Sequence, residues 1–178
     1  MAELVFALDL AARTGYAVGR ADNPPPRSGV VQLKKPGESP SVAFGNLIAW
    51  LAECWGDEKP DIVVKEAPLQ LQGFKNSFNA QATVRMTHGL HAIVEGMGRR
   101  FGVKVYEVHD ATIRKHFIGK GRMGSREETK RAVIKRAQVL GYMPRGLNDS
   151  DRADACAVWD YGTASIPKKL FLFGEEAA

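Results

Sequence analysis

The sequence predicts a mixed α/β fold, a five-stranded sheet with three antiparallel leading strands followed by parallel ones and helices on both faces. Three observations predict it. Short β-branched or apolar runs dominate the first third, helical periodicity alternates with strands through the middle, and the last third reads as helices. The chain has 178 residues, 44% apolar and 25% charged, so a core large enough to need neither disulfide nor structural metal is expected.

Leu4 to Leu10 is almost wholly apolar, as suits a strand buried on both faces, and it carries Asp9 near its end. Thr14 to Val18 follows after the link Ala11-Ala12-Arg13, with Gly15 expected to help the chain turn back as an antiparallel neighbour. Pro24-Pro25-Pro26 cannot donate to a ladder, so Ala21 to Ser28 is a loop, and Gly29 to Lys34 reads as the third strand. Ser39 to Trp55 has Val42, Leu47, Ile48, Leu51 and Trp55 near helical spacing, with Ser39 or Ser41 as cap. Asp61 to Glu66 is a β-branched run stopped by Ala67-Pro68, and it presents Glu66 at its carboxyl end.

Asn76 to Phe101 reads as a long helix and Val103 to Val108 as the last strand. Asp110 is expected to cap a short helix through Phe117, before a loop with Gly119, Gly121 and Gly124. Ser125 and Glu128 form a capping-box pattern for a helix to about Leu140. Asn148-Asp149-Ser150 opens a final helix to about Thr163, and the remaining tail is expected to be peripheral. This order is the outline of an RNase H-like fold, expected as one domain over residues 1–178 with its core at about 3–163.

Composition narrows the function classes. Cys54 and Cys156 have no CxxC spacing and read as reduced thiols, no run approaches a membrane span, and no leader pattern is present, so a cytoplasmic, unprocessed chain is expected. The net charge of +5 is concentrated between Arg114 and Arg136, where nine cations stand against Glu127 and Glu128. Such a field attracts a polyanion, although a solvated helix face has the same composition.

Four acids lie where a metal site needs them. Asp9 and Glu66 each end a buried strand, while Asp151 and Asp154 share one face of the last helix. Carboxyl ends of neighbouring parallel strands form a common edge, so the four are expected to converge. Clustered carboxylates repel, and Mg²⁺ or Mn²⁺, hard ions with oxygen ligands, would satisfy them. Two such ions support phosphodiester hydrolysis. Strand alternation sends Lys65 to the opposite face from Glu66, where it is expected to snorkel past the covering helix. His109 is weighed as a proton-transfer group at the same edge and as a structural histidine.

The stretch Leu8-Asp9-Leu10-Ala11-Ala12-Arg13-Thr14-Gly15-Tyr16-Ala17-Val18, the strand end Val63-Val64-Lys65-Glu66, and Asp151-Arg152-Ala153-Asp154-Ala155-Cys156-Ala157 resemble the RuvC family of Holliday junction resolvases. The resemblance spans about residues 3–163. It implies that Asp9, Glu66, Asp151 and Asp154 hold two Mg²⁺ or Mn²⁺ ions, and that a homodimer grips a four-way DNA junction and nicks two strands symmetrically. It further implies DNA contacts from Arg114, Lys115, Lys120, Arg122, Arg126 and Lys130, and from Phe74 with Lys75 in the loop Leu69 to Asn76. The helix Asn76 to Phe101 is the implied dimer interface, with Met86, Leu90 and Met97 equally compatible with core packing.

The sequence departs from the bacterial resolvase pattern at Arg13, in the loop Ala21 to Ser28, at Lys65 and in its short tail, which suggests a divergent, phage-type branch. Nucleases acting on flaps, forks or RNA share the same acids, and a junction-binding protein without cleavage is the non-enzymatic alternative. An actin-like ATPase or sugar kinase also carries an Asp on its first strand, followed by glycine and hydroxyl residues that cradle phosphate. Leu10-Ala11-Ala12 stands there instead.

Overall fold

The computed structural model describes residues 2–68 and 78–173. Its elements run β1 (Leu4–Asp9), β2 (Arg13–Arg20), β3 (Arg27–Gln32), α1 (Pro40–Asp57), β4 (Ile62–Glu66), α2 (Phe78–Phe101), β5 (Lys104–Val108), α3 (Asp110–Ile118), α4 (Arg126–Val139) and α5 (Ser150–Phe173). The sheet order is β3-β2-β1-β4-β5. β1, β2 and β3 pair antiparallel, while β4 and β5 run parallel to β1, as the sequence predicts.

Alternation along the strands sorts the core into two layers. Leu4, Phe6 and Leu8 of β1 and Val63 of β4 pack with Leu47, Leu51 and Trp55 of α1 and Leu90 and Val94 of α2. Val5 and Ala7, with Ile62 and Val64, face the other way, onto α3, α4 and α5. Full burial of a Leu side chain stabilises by roughly 2 kcal/mol, so Leu47, Leu51 and Leu90, each 0% exposed, hold the first layer firmly. The second layer is built on Ala153, Ala155 and Ala157, whose small side chains bring α5 close to the sheet. Gly162 continues that approach, since a Cβ there would lie 2.9 Å from Val64 Cγ2.

The starts of α1, α4 and α5 follow the expected caps. The Ser39 side chain accepts from Ser41 N–H, with Pro40 in the first turn of α1, and Ser125 and Glu128 complete a reciprocal capping box on α4. Asp149 accepts from the backbone N–H of Arg152 at 3.2 Å, so it caps α5. Both cysteines are free. Among the described residues no helix is long and apolar enough to cross a membrane.

Four expectations need correction. Gly15 is no turn residue: it lies inside β2 opposite Asp9, and its importance is the space beside it. Asp110 is the first residue of α3 rather than its cap, which is His109. α5 does not stop near Thr163 but runs on to Phe173, with Ile166 buried in the core, so that part of the tail is integral. Lys65 leaves on the predicted face but does not snorkel. It is 0% exposed, because three partner side chains cover its ammonium.

Those partners are Glu107, the cross-strand neighbour of Lys65 on β5, and His91 and Glu95 on α2. Lys65 Nζ lies 3.1 Å from His91 Nδ1 and 3.1 Å from Glu95 Oε1. Burial first, and then the lysine charge, push the His91 pKa down to about 4, so the neutral ring accepts at Nδ1. Removing one partner of a buried charge is expensive, whereas replacing the charge by an apolar chain of similar volume is often neutral. Because Glu107 is half-exposed, Glu107→Ala is expected to lower stability by about 2 kcal/mol, with Lys65→Met near the wild type or above it. Urea denaturation of the two variants measures both, and a neutral Glu107→Ala would show that the network holds nothing.

Candidate active site

Asp9 ends β1 on the face that carries Val5 and Ala7, and Glu66 ends the adjacent parallel strand β4 on the face that carries Ile62 and Val64. Both carboxylates are therefore directed toward the layer of α3 and α5. α5 crosses this edge with Asp151 in its first turn and Asp154 one turn on. The four predicted acids thus meet in one electrostatic neighbourhood. Burial, followed by the charges of Asp154, Glu66, Asp151 and Asp110, raises the Asp9 carboxyl well above the usual range.

Glu66 is pushed up to about 7, by burial first and then by Asp110 and Asp154, against the opposing charge of Arg114. Asp154 is pushed up to about 6, again by burial, opposed by Arg114 and Lys130 and reinforced by Asp110 and Asp151. Among the described residues no ion pair neutralises Asp9, Glu66 or Asp154. A set of oxygen donors with uncompensated negative charge fits a hard divalent cation. The side chains are not, however, drawn into a ligand shell: no three His, Cys, Asp or Glu groups among the described residues are placed to hold one ion.

Asp151 differs from the other three. Its side chain is one-third exposed and is engaged by the Arg13 guanidinium from the start of β2. The approach of β2 to α5 at this point depends on Gly15. A Cβ there would lie 2.0 Å from the backbone oxygen of Asp151, so only glycine lets the first turn of α5 rest on the strand.

Asp110 joins the group without having been predicted as a site residue. It opens α3 with one residue, His109, between it and the end of β5, at the same sheet edge as Glu66, and pairs with Arg114 one helical turn on. The signal was available in its place after a parallel strand, but the same acid also suits a helix start. Arg114 consequently belongs to the rim of the acidic site, and Lys130 is near enough to act on Asp154. Lys115, Lys120, Arg122 and Arg126 are exposed along α3, the following loop and the start of α4. His109 is exposed and makes no side-chain cap hydrogen bond. Phe74 and Lys75 lie outside the described residues.

Neither a family model nor a curated protein sequence matches this chain. Solved structures do. RuvC of Thermus thermophilus superposes with a TM-score of 0.63 at 18% identity, over 87% of this chain and 90% of that one. The T. thermophilus RuvC in complex with a Holliday junction substrate matches at 0.63 and 22% identity, over 88% and 90%. The fold is that of RuvC. The yeast mitochondrial Holliday junction resolvase Ydc2 follows at 0.51 and 14% identity, over 86% of this chain and 76% of that one. At these identities the likeness establishes the RuvC architecture, and the chemistry must be argued from the acids themselves.

The raised carboxyl pKa values make stability depend on pH. Glu66 and Asp154 bind protons more tightly in the folded than in the unfolded chain, so the stability they contribute is complete below their ordinary values of 4.5 and 3.8. It is lost as pH rises through about 6 and about 7. The metal-free protein is expected to lose stability across this window, and Glu66→Gln to lose less. Thermal melts of both proteins at a series of pH values measure the difference, and parallel curves would remove Glu66 from the acidic cluster.

Proposed function

We propose that this protein is a divalent-metal-dependent endonuclease that resolves four-way DNA junctions. The observation that carries the reading is the gathering of Asp9, Glu66 and Asp154 at one edge of a RuvC-type sheet, where burial first and neighbouring acids second raise the pKa of all three. Such an arrangement is costly to the fold unless a cation joins it. Asp9, Glu66, Asp151 and Asp154 would hold two Mg²⁺ or Mn²⁺ ions, with Asp110 at the rim. Bound there, the ions would supply a reactive water and stabilise the leaving oxygen of a phosphodiester.

The remaining work falls to the chain. Ionised carboxylates are required for binding metal, and Arg114 and Lys130 lower the proton affinity of Asp154. The exposed cations Lys115, Lys120, Arg122 and Arg126 would hold the phosphate backbone beside the acids, which makes affinity fall with salt. Symmetric nicking needs two such sites related by a two-fold axis, so the active form would be a homodimer. α2 buries Leu90, Val94 and Met97 in its own core and leaves Arg85, His88, Ala92 and Gly96 exposed for a second copy.

The test is a cleavage panel of four-way, flap, fork, duplex and RNA–DNA substrates of matched sequence, each with Mg²⁺ and with chelator. Paired nicks confined to the four-way junction and abolished by the chelator are expected. Equal cutting of flap or duplex would overturn the junction assignment, and cutting that persists in chelator would overturn the metal chemistry.

A further inference from the structure

Arg13, the first residue of β2, makes three contacts through its guanidinium. Nη1 donates to Asp149 Oδ1 at 3.0 Å, Nη2 donates to Asp149 Oδ2 at 2.5 Å, and Nη1 also donates to Asp151 Oδ2. Asp149 is the fixed side of this arrangement. Its side chain is only 13% exposed and also caps α5. Asp151 is the shared side. Its second oxygen, Oδ1, accepts from Ser150 Oγ at 3.3 Å, so both carboxylate oxygens already have donors.

The four proposed ligands therefore divide. Asp9, Glu66 and Asp154 repel one another without an ion-pair partner among the described residues, whereas Asp151 already has a cation. We propose that Arg13 is a positioning residue that acts as the resident counter-cation of Asp151, so that a divalent ion takes this carboxylate only by displacing the guanidinium. This rests on the metal-binding reading above. An Arg–carboxylate contact is charge-assisted, and a competing ion must overcome it. Anchoring on Asp149 keeps the displaced arginine close by, at the mouth of the site.

The direction of the effect separates this role from a merely structural one. A lost strut would loosen α5 and weaken metal binding; a lost competitor strengthens it. Calorimetric titration of Mn²⁺ into the full-length wild type, Arg13→Lys and Arg13→Gln reads the difference without any cleavage assay. Arg13→Gln is expected to bind Mn²⁺ about tenfold tighter, the effect of removing one hydrogen bond to a charged group. Lysine retains the charge but not the two-pronged grip, so Arg13→Lys should fall between them. This also keeps a testable variant should Arg13→Gln fail to fold.

Unchanged or weaker Mn²⁺ binding by folded Arg13 variants would overturn the inference. Asp9→Asn in the same titration distinguishes that failure from a failure of the metal site. If Asp9→Asn leaves Mn²⁺ binding intact, the site itself is misplaced; if it abolishes binding while the Arg13 variants match the wild type, only the role of Arg13 falls.

Discussion

Asp9→Asn is expected to abolish metal-dependent nicking while raising the stability of the metal-free protein. The two effects have one cause. Asp9 ends a strand whose other residues are buried, and four further acids act on it, so its ionised form is held at high energy. Asparagine has nearly the same shape and no charge. The metal-free fold therefore loses a repulsion, and the melting temperature at alkaline pH should rise. A neutral amide is a poor ligand for a hard divalent ion, and metal activation of a phosphodiester contributes several kcal/mol, so nicking should fall roughly a thousandfold or more. Junction affinity, which the proposed function assigns to the exposed cations, should persist. Single-turnover cleavage, gel-shift binding and thermal melts on the same preparation test all three effects. Surviving nicking would remove Asp9 from the chemistry, and a fall in metal-free stability would show that its carboxylate is held by favourable contacts instead.

Much of the sheet was legible because its signals are local. Apolar runs without alternation marked β1 as central, β-branched residues marked β4, and the serine caps marked α1 and α4. Asp9 and Glu66 were legible for the same reason, since each ends a buried strand and strand period fixes its face. What could not be read were contacts between residues distant in the chain. Lys65 looked like a residue that must reach solvent, because its partners Glu107, His91 and Glu95 come from two other elements. Arg13 looked like part of a link, and Asp149 like a cap alone, until β2 met α5 136 positions later. The continuation of α5 past Thr163 was not read, because what keeps the helix on the core there is the burial of Ile166, a tertiary contact.

Gly15→Ala is expected to damage the site through such a long-range contact, without touching an ionisable group. Its Cβ would lie 2.0 Å from Asp151 O, 2.6 Å from Asp151 C and 3.2 Å from Ala155 Cβ. Two of those atoms are helix backbone, so no rotamer change relieves the clash and the start of α5 must move away from β2. Overpacking of this kind costs about 3 kcal/mol. Asp151 and Asp154 ride on the displaced turn, while Asp9, directly opposite Gly15 in the sheet, stays in place. A misplacement near 1 Å costs roughly a hundredfold in rate, so nicking should fall by about that factor with junction binding retained. Gly45→Ala and Gly56→Ala on α1 are the controls. A Cβ at either meets nothing within 4 Å, and alanine favours the helix, so both should match or exceed the wild type in stability. Urea denaturation and single-turnover cleavage of the three variants separate a local clash from a general sensitivity to added methyl groups. If Gly15→Ala keeps wild-type stability and rate, α5 does not rest on β2 at that residue, and the acids on its first turns are positioned by something else.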